Sequence, residues 1–413
     1  MKKCFTLTCS EITPDILSRV RTCADRAGSR LPFHRPELPT TWWEHFNSSD
    51  GAQFTEKRGR NFLGARSWLN DLYYVLAGEG EEIAGAIPMA SFSVRLPDSH
   101  DPIRMLAFAG DYVLAPYQDI LALRRERKET LSFLIHECIR LMRSGHDLLF
   151  FGYIPGQSPS ITVLDEIFQG MTGDISWRKC ITSHRGGAQP WTLASLKNIM
   201  NSLVAKVSTD CPGHDPVCDI AGRLGRCTPD TLLFPRNRTE IDAGLRDLIS
   251  RYGQEDGIRD EMESLGRLLA PSPIAYPYID LPDSRDGYLG GLGKKTRFNF
   301  RYYRKKLLDD GGMIEKVPSV RIAENDIRDY LDLHMMRWGR RSVAISDKTV
   351  GFHMQVCSTA ARQGYLTLFF VRLRDKRIAA HACFDIRGRR EAYFTGMDPD
   401  YERTSAGMVL FME

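Results

Sequence analysis

One arrangement of strands occurs twice in this chain, and it constrains the fold more than any other feature. The first copy begins with Asp71 to Arg95, DLYYVLAGEGEEIAGAIPMASFSVR, where a Gly/Glu turn separates two runs rich in Tyr, Val and Ile, as in a β-hairpin. The second copy, Tyr365 to Arg387, has the same order and repeats IAGAIPM as IAAHACF. A third strand follows each hairpin, in Ile103 to Tyr112 and in Arg390 to Tyr401. The chain therefore contains two copies of one unit.

Helical patterns accompany both copies. In the first, Thr130 to Arg143 has apolar residues at the helical period and precedes an apolar strand, Leu148 to Ile154. In the second, two helical segments, Ile327 to Trp338 and Val356 to Ala361, precede the hairpin. The predicted fold class is α/β (α+β), with two similar halves, each a mixed, mostly antiparallel sheet flanked by helices. Measured against the first copy, the second half is expected to be incomplete at its C-terminus, because the chain stops at Glu413 before a last helix and strand.

Breaks rich in Pro and Gly separate the two copies. Motifs such as GQSPS, RGGAQP and CPGHDP interrupt the sequence between Pro155 and Pro273, around two amphipathic stretches. A chain of 413 residues is also too long for one ordinary core. We therefore predict a degenerate N-terminal half at residues 1–155, an irregular and helical insertion or connection at 156–273, and a C-terminal half at 274–413 that is truncated after its last loop.

Composition narrows the function classes. The chain has 56 Lys and Arg against 52 Asp and Glu, a net charge of only +4, so no nucleic-acid partner is expected. No apolar run approaches the roughly 20 residues that span a bilayer, and Ser10 and Glu11 interrupt the N-terminal run before a signal peptide is complete. Ten cysteines, several in apolar patterns, are typical of buried thiols in a reducing compartment. The sequence predicts a soluble cytoplasmic protein without a membrane span and leaves the oligomeric state open.

The stretch Tyr393 to Phe411, YFTGMDPDYERTSAGMVLF, is the most informative for chemistry. A strand ends, an acidic turn follows, and the small-residue loop Arg403 to Gly407 leads into an apolar helix that begins at Ser405 or Ala406. Such a helix start presents unpaired backbone N–H groups and the positive end of the helix dipole, which suit a pyrophosphate. An ordinary helix cap without a ligand is the alternative explanation.

This order of elements, ending in an Arg-x-x-x-Gly turn into a helix, resembles the GNAT superfamily of acyltransferases. The amino-acid sequences of several segments add to the resemblance, including Tyr288 to Leu307 (YLGGLGKKTRFNFRYYRKKL), Leu333 to Arg341 (LHMMRWGRR) and Tyr393 to Leu410. They are similar to the tandem-GNAT subgroup that includes CelD-type cellulose-biosynthesis proteins and is related in fold to FemABX aminoacyl transferases. The resemblance covers Pro277 to the end closely and Trp42 to Ile154 more loosely.

The resemblance implies an acyl-CoA-dependent N-acyltransferase. Its cosubstrate would be acetyl-CoA or another acyl-CoA, its acceptor a small-molecule or saccharide amine, and its setting polysaccharide or cell-envelope biosynthesis; no metal is expected. The turn departs by one residue from the usual Gln/Arg-x-x-Gly-x-Gly/Ala spacing. By position, the residues of the CoA pyrophosphate loop would be Arg403, Ser405, Ala406, Gly407 and Met408, and those that place the acyl group would be Tyr393, Phe394, Thr395 and Gly396.

A predicted helix before this region carries a one-sided basic stripe, with aromatic and apolar residues on another side. A solvated face over an amphipathic helix is one explanation. Contact with CoA phosphates or with a phosphorylated or anionic acceptor is the other. The candidate substrate or phosphate contacts in the stripe are Lys294, Arg297, Arg301 and Arg304.

Acyl transfer to an amine needs a base, because amines are protonated at neutral pH, and it needs no covalent intermediate. The candidate catalytic residues are His381 on the hairpin, and Glu391 and Asp398 around the third strand; His334 on a helix is a further candidate. A hydrogen-bonded core position is the alternative role for a His on an apolar helix face, and Asp398-Pro399 is also ordinary turn sequence.

A Pro/Gly-rich loop, CPGHDPVCDIAGRLGRC, contains Cys211, His214, Cys218 and Cys227, which have the chemistry of zinc ligands. Their spacing is not that of a standard finger or ribbon, so no metal is predicted and the question stays open.

Two other functions fit parts of the sequence. A FemABX-like aminoacyl transferase would keep the fold and use the basic helix. A non-catalytic scaffold or binding protein would follow if the incomplete second half left an incomplete GNAT site, and such a protein would bind no CoA.

Overall fold

A computed structural model gives the fold, and the chain divides into two compact units, Met1–Tyr278 and Ile279–Glu413. The structure describes residues 3–47, 66–95, 102–110, 118–155, 158–170, 175–181, 200–207, 281–339, 342 and 345–412.

The first unit is built on one mixed sheet with strand order β1-β2-β3-β4-β6-β8-β7, and the short β5 pairs with β3. Strands β4 and β6 are parallel, and the other pairs are antiparallel. The elements, in chain order, are β1 (Lys3–Thr8), α1 (Pro14–Arg26), α2 (Glu37–Phe46), β2 (Arg66–Glu79), β3 (Glu82–Arg95), β4 (Ile103–Phe108), β5 (Leu121–Ala122), α3 (Arg127–Arg143), β6 (Leu148–Pro155), α4 (Pro159–Gly170), β7 (Ile175–Ile181) and β8 (Met200–Val207).

The predicted hairpin of the first unit is confirmed. Strands β2 and β3 pair from Arg66 with Arg95 to Glu79 with Glu82. Gly80 in the turn has a φ of +59°, a conformation that glycine adopts without a steric cost. The predicted apolar face of α3 is also buried, as its periodicity indicates: Leu131, Leu134, Ile135, Cys138, Ile139 and Met142.

The second unit has a four-stranded sheet in the order β12-β11-β10-β9, antiparallel throughout the described residues. Strands β10 and β11 form the second predicted hairpin. The elements are α5 (Arg285–Gly291), α6 (Lys294–Asp309), β9 (Gly312–Pro318), α7 (Glu324–Trp338), α8 (Val350–Arg362), β10 (Leu366–Leu373), β11 (Lys376–Ile386), β12 (Arg389–Met397), a 3₁₀ turn (Pro399–Thr404) and α9 (Ala406–Met412).

The two faces of the second sheet bury different helices. One face packs against α6 and α9 in a cluster that includes Phe300, Phe369, Cys383 and Leu410. Because successive side chains of a strand point to opposite faces, Phe370 points to the other side. There the guanidinium of Arg377 lies 3.9 Å from the centre of the Phe370 ring and also binds acidic residues of α7. Helices therefore cover both faces of this sheet.

The internal repeat is visible in the order of elements. A strand, two helices, three antiparallel strands and a helix occur as β1, α1, α2, β2, β3, β4 and α3 in the first unit. They occur again as β9, α7, α8, β10, β11, β12 and α9 in the second. In the described ranges, every helix is too short or too polar to cross a membrane.

Candidate active site

Strand β12 has a β-bulge at its centre. His381 pairs with Thr395 and Cys383 pairs with Ala392, so Tyr393 and Phe394 together face the single residue Ala382. A bulge takes backbone groups out of the regular ladder and redirects side chains, and bulges are frequent beside active sites. Among the described strands, β12 is also the outer strand of its sheet. The bulge therefore lies on an edge strand of the described sheet.

Helix α7 lies directly on β12 beside the bulge. The carbonyl of Thr395 accepts a hydrogen bond from His334 Nδ1 at 2.8 Å and another from Trp338 Nε1 at 3.3 Å. Ser342 Oγ donates to His334 Nε2 at 2.9 Å, since the neutral ring has its proton on Nδ1. Burial lowers the pKa of His334, so the ring is neutral at physiological pH. His334 thus ties α7 to the strand, which is the core role that its helical position also allows.

A second histidine fixes the bulge from α8. The hydroxyl of Tyr393 and Nδ1 of His353 share a hydrogen bond of 2.6 Å, and both residues are buried. The ring of Phe394 meets His334 and His353 edge to face, with centroid distances of 5.5 and 5.6 Å. The two bulge residues are therefore held between two histidines.

Glu391 lies two residues before Tyr393 on β12, so both side chains point to the same face. Its side chain is only 10% exposed, and Oε2 has no hydrogen-bond partner among the described residues. Burial raises the pKa of Glu391 to about 7, against the opposing charge of Arg389, whose Nη2 is 3.4 Å from Oε2. A carboxyl group with such a pKa takes up and releases a proton near neutral pH.

His381 lies on the opposite face of the sheet from His334, together with Cys383 and helix α9. Its ring stacks on Phe411 at 5.8 Å, and Nε2 is 3.6 Å from Cys383 Sγ. Burial, with a smaller contribution from Arg390, lowers the pKa of His381 to about 4. His381 is therefore neutral at physiological pH and a weak base.

Asp398 ends β12 and begins the turn that follows. Its carboxylate accepts a hydrogen bond from the Asp400 backbone N–H at 3.0 Å and lies 2.6 Å from Lys376 Nζ. The hydrogen bond from Lys376 lowers the pKa of Asp398, so the group stays ionised. It lies seven residues beyond Glu391, roughly 20 Å along an extended strand. The structure does not bring the three predicted catalytic residues together.

In the loop predicted to hold a pyrophosphate, most backbone N–H groups at the start of α9 already have acceptors. After the 3₁₀ turn, Ser405 has a φ of +53°, and α9 begins at Ala406, at the predicted point. The N–H groups of Ala406, Met408 and Val409 donate to Thr404 Oγ1 or to the Ser405 carbonyl. In the described residues the N–H of Gly407 has no such acceptor.

One residue beside this loop was not predicted from the sequence. A Cβ added to Gly407 would lie 3.5 Å from Nη1 of Arg337, whose guanidinium is stacked 4.8 Å from the centre of the Trp338 ring. Arg337 comes from the last turn of α7 and brings a cation to the start of α9. The motif LHMMRWGRR contained the signal, because Arg337 lies three residues after His334 and so near the same side of the helix.

The basic stripe on α6 has more than one role. Arg297 Nη1 donates to the carbonyl of Gly290 at 2.8 Å and so joins α6 to α5. Lys294 is exposed at the start of the helix. Arg301 and Arg304 line a cleft of about 320 Å³ between α5 and α6, together with Lys305 and Arg285.

The described residues include no group of three or more His, Cys, Asp or Glu side chains that would hold a metal ion. The four possible zinc ligands of the Pro/Gly-rich loop, Cys211, His214, Cys218 and Cys227, lie outside the described residues.

Comparisons with known proteins agree with this architecture. Residues 294–413 match the family model of the acetyltransferase (GNAT) domain. The described residues have a mixed α/β fold with two sheets flanked by helices, consistent with GNAT-like tandem domains. No curated protein sequence matches the chain.

Solved structures show distant similarity. FemX has 9% identity and a TM-score of 0.43, over 91% of this chain and 82% of that one. A tandem GNAT protein from the clavulanic acid biosynthesis pathway has 9% identity and a TM-score of 0.31, over 100% of this chain and 84% of that one. An N-acetyltransferase from Staphylococcus aureus has 10% identity and a TM-score of 0.23, over 50% of this chain and 97% of that one. Similarity at this level carries no information about the substrate.

Proposed function

We propose that this protein transfers an acyl group from acyl-CoA to an amine by direct attack, with Glu391 as the general base. The observation that carries the proposal is the buried carboxyl group of Glu391, which has one oxygen without a hydrogen bond among the described residues and a pKa near neutrality, on the strand of the bulge. A base is most effective when its pKa lies near the working pH. Neither His381, with a pKa of about 4, nor the ion-paired Asp398 meets this condition as well.

The reaction follows from these roles. The ionised carboxylate of Glu391 takes a proton from the ammonium group of the acceptor, directly or through water. The free amine attacks the thioester carbon, and a backbone N–H at the bulge stabilises the negative oxygen that forms. The carbon–sulfur bond then breaks, and the CoA thiolate takes up the proton that the attacking nitrogen loses as the amide forms. Tyr393, Phe394, Thr395 and Gly396 are the residues that hold the acyl group in this proposal.

The diphosphate of CoA is assigned to the loop Arg403, Ser405, Ala406, Gly407 and Met408. The N–H of Gly407, which lacks an acceptor among the described residues, and the nearby Arg337 guanidinium support this assignment. Both groups have the chemistry that binds an anion. The residues present therefore fit acyl-CoA as a cosubstrate.

The acceptor is proposed only as a class, a small-molecule or saccharide amine. Polysaccharide or cell-envelope biosynthesis as its setting rests on the resemblance to CelD-type proteins alone. The same base would serve an aminoacyl transferase, so an acyl donor other than CoA is an outcome of the test below.

The test separates binding from chemistry. Calorimetry with acetyl-CoA is carried out on the parent chain, on Gly407→Glu, which places a carboxylate in the loop, and on Glu391→Gln. Thiol release with a panel of amines then measures turnover. Glu402→Gln is the matched control, because it removes an exposed carboxylate from the adjoining turn.

We expect the parent and Glu391→Gln to bind acetyl-CoA equally and Gly407→Glu to lose binding. Turnover of Glu391→Gln should fall by about 10²- to 10⁴-fold, whereas Glu402→Gln should keep it. A parent chain that binds no acetyl-CoA contradicts the proposal and favours the scaffold or another donor. Equal binding by Gly407→Glu contradicts the assignment of the loop.

A further inference from the structure

The reaction steps described above involve no residue of the cleft between α5 and α6. Its volume of about 320 Å³ is at the lower end of the range of roughly 300 to 1,000 Å³ that is typical of small-molecule sites. Four cations, Arg285, Arg301, Arg304 and Lys305, line it with two carboxylates, Asp286 and Asp309.

Helical geometry brings the cations together. Arg301, Arg304 and Lys305 are at positions i, i+3 and i+4 of α6 and therefore share one face. Arg285 approaches from the neighbouring helix α5. Cations from two elements surround the same space, and this arrangement differs from a solvated stripe along one helix.

The floor of the cleft is held in place. Leu289 and Phe300 are buried at 4% and 1% exposure, and the Arg285 guanidinium lies 5.2 Å from the centre of the Phe300 ring. The hydrogen bond from Arg297 to the Gly290 carbonyl fixes the end of α5 against α6. The cations thus project from a packed base, which reduces the entropy lost when a ligand binds.

The charge of the lining selects the ligand class. Cations predominate in the lining, and a phosphate monoester carries about 1.5 to 2 negative charges at neutral pH. An arginine guanidinium can donate two parallel hydrogen bonds to two oxygens of one phosphate. The apolar floor suits the organic part of an ester.

We propose that the α5–α6 cleft binds the phosphate monoester of a substrate. Two sources have this chemistry: the 3′-phosphate of CoA and a phosphorylated amine acceptor. Naming the ligand as a substrate rests on the proposed acyl transfer, whereas phosphate binding in the cleft does not.

The experiment compares two double variants of the full chain. Arg301→Gln/Arg304→Gln removes two charges from the cleft. Lys295→Gln/Lys306→Gln removes two charges from exposed positions of the same helix that do not line the cleft. Calorimetry at constant ionic strength uses two pairs of probes: acetyl-CoA with its 3′-dephospho form, and glucosamine 6-phosphate with glucosamine. Unfolding midpoints check that both variants are folded.

We expect the parent to bind the phosphorylated member of one pair at least about tenfold more tightly than its partner. The cleft variant should lose this preference, and the control variant should keep it. A preference within the CoA pair identifies the 3′-phosphate as the ligand; a preference within the sugar pair identifies a phosphorylated acceptor.

Two results would overturn the inference: no preference in either pair, or an equal loss of preference in both double variants. Its failure is distinct from that of the proposed function. If the parent binds acetyl-CoA and the cleft variant has the same preference as the parent in both probe pairs, phosphate binding in the cleft is refuted and acyl transfer still stands. A sugar-phosphate preference that depends on Arg301 and Arg304, without any acetyl-CoA binding, supports the cleft and refutes acyl transfer from acetyl-CoA.

Discussion

The backbone nitrogen of His334 in α7 occupies the place where a side chain at Gly396 of β12 would lie, since a Cβ at position 396 would be 2.3 Å from it. The next nearest atoms are also backbone atoms of α7, so no rotation of a side chain relieves the clash. This close approach is what lets His334 and Trp338 reach the Thr395 carbonyl.

Gly396→Ala should therefore destabilise the protein, by an amount at the upper end of the usual 1 to 3 kcal/mol or so for overpacking. Helix α7 would have to move away from the bulge. Urea unfolding measures the change. Gly290→Ala is the control, because no atom lies within 4 Å of its added Cβ, and its effect should stay within about 0.5 kcal/mol. Equal effects of the two substitutions would contradict the close packing of α7 on β12.

Tyr393→Phe removes the hydroxyl that shares a 2.6 Å hydrogen bond with His353 inside the protein. Loss of a buried partner costs about 1 to 3 kcal/mol, because the group left behind stays desolvated. Tyr302→Phe, at a side chain that is 53% exposed, is the matched control and should change little. Thermal unfolding of both variants tests the difference, and an unchanged midpoint for Tyr393→Phe would argue against this hydrogen bond.

Glu391→Gln should change how stability depends on pH. With a native pKa raised to about 7, Glu391 holds a proton that the unfolded chain releases from about pH 4.5 upward. Its contribution to stability is present below pH 4.5 and is lost as pH rises through 7, a change on the order of 3 kcal/mol. Glutamine does not titrate, so the free energy of unfolding of the parent should fall relative to the variant between about pH 5 and pH 8. Parallel curves would show that Glu391 is not desolvated.

His381→Gln should show the opposite pH dependence. The native pKa of His381 is lowered to about 4, so the unfolded chain takes up a proton near pH 6.5 that the native protein excludes. The stability contributed by the neutral ring is present above pH 6.5 and is lost as pH falls through 4, again on the order of 3 kcal/mol. Urea unfolding of parent and variant across this range measures the difference. If the difference did not vary with pH, His381 would be hydrated.

Local patterns predicted much of the fold. The two hairpins, the apolar face of α3 and the start of α9 at Ala406 are confirmed. Each depends on residues close together in the chain, whose preferences act before any long-range contact forms. The resemblance to GNAT proteins likewise rests on short segments read in order, and the match of residues 294–413 to the GNAT domain agrees with it.

The candidate site was predicted less completely, because its properties depend on contacts between distant residues. Arg337 reaches Gly407 only because α7 packs across the end of β12. Arg297 lies in the predicted basic stripe, yet its partner is the carbonyl of Gly290. Periodicity places such residues on a face of a helix and says nothing about what faces them.

The sequence by itself determined the repeated order of strands and helices, the α/β class and the loop that leads into α9, since spacing and turn residues encode these locally. Only the tertiary structure decided that Glu391 is desolvated near neutrality while Asp398 is tied to Lys376. The two carboxylates have the same intrinsic chemistry. Their pKa values differ because burial and a nearby cation are set by the packing of the whole unit.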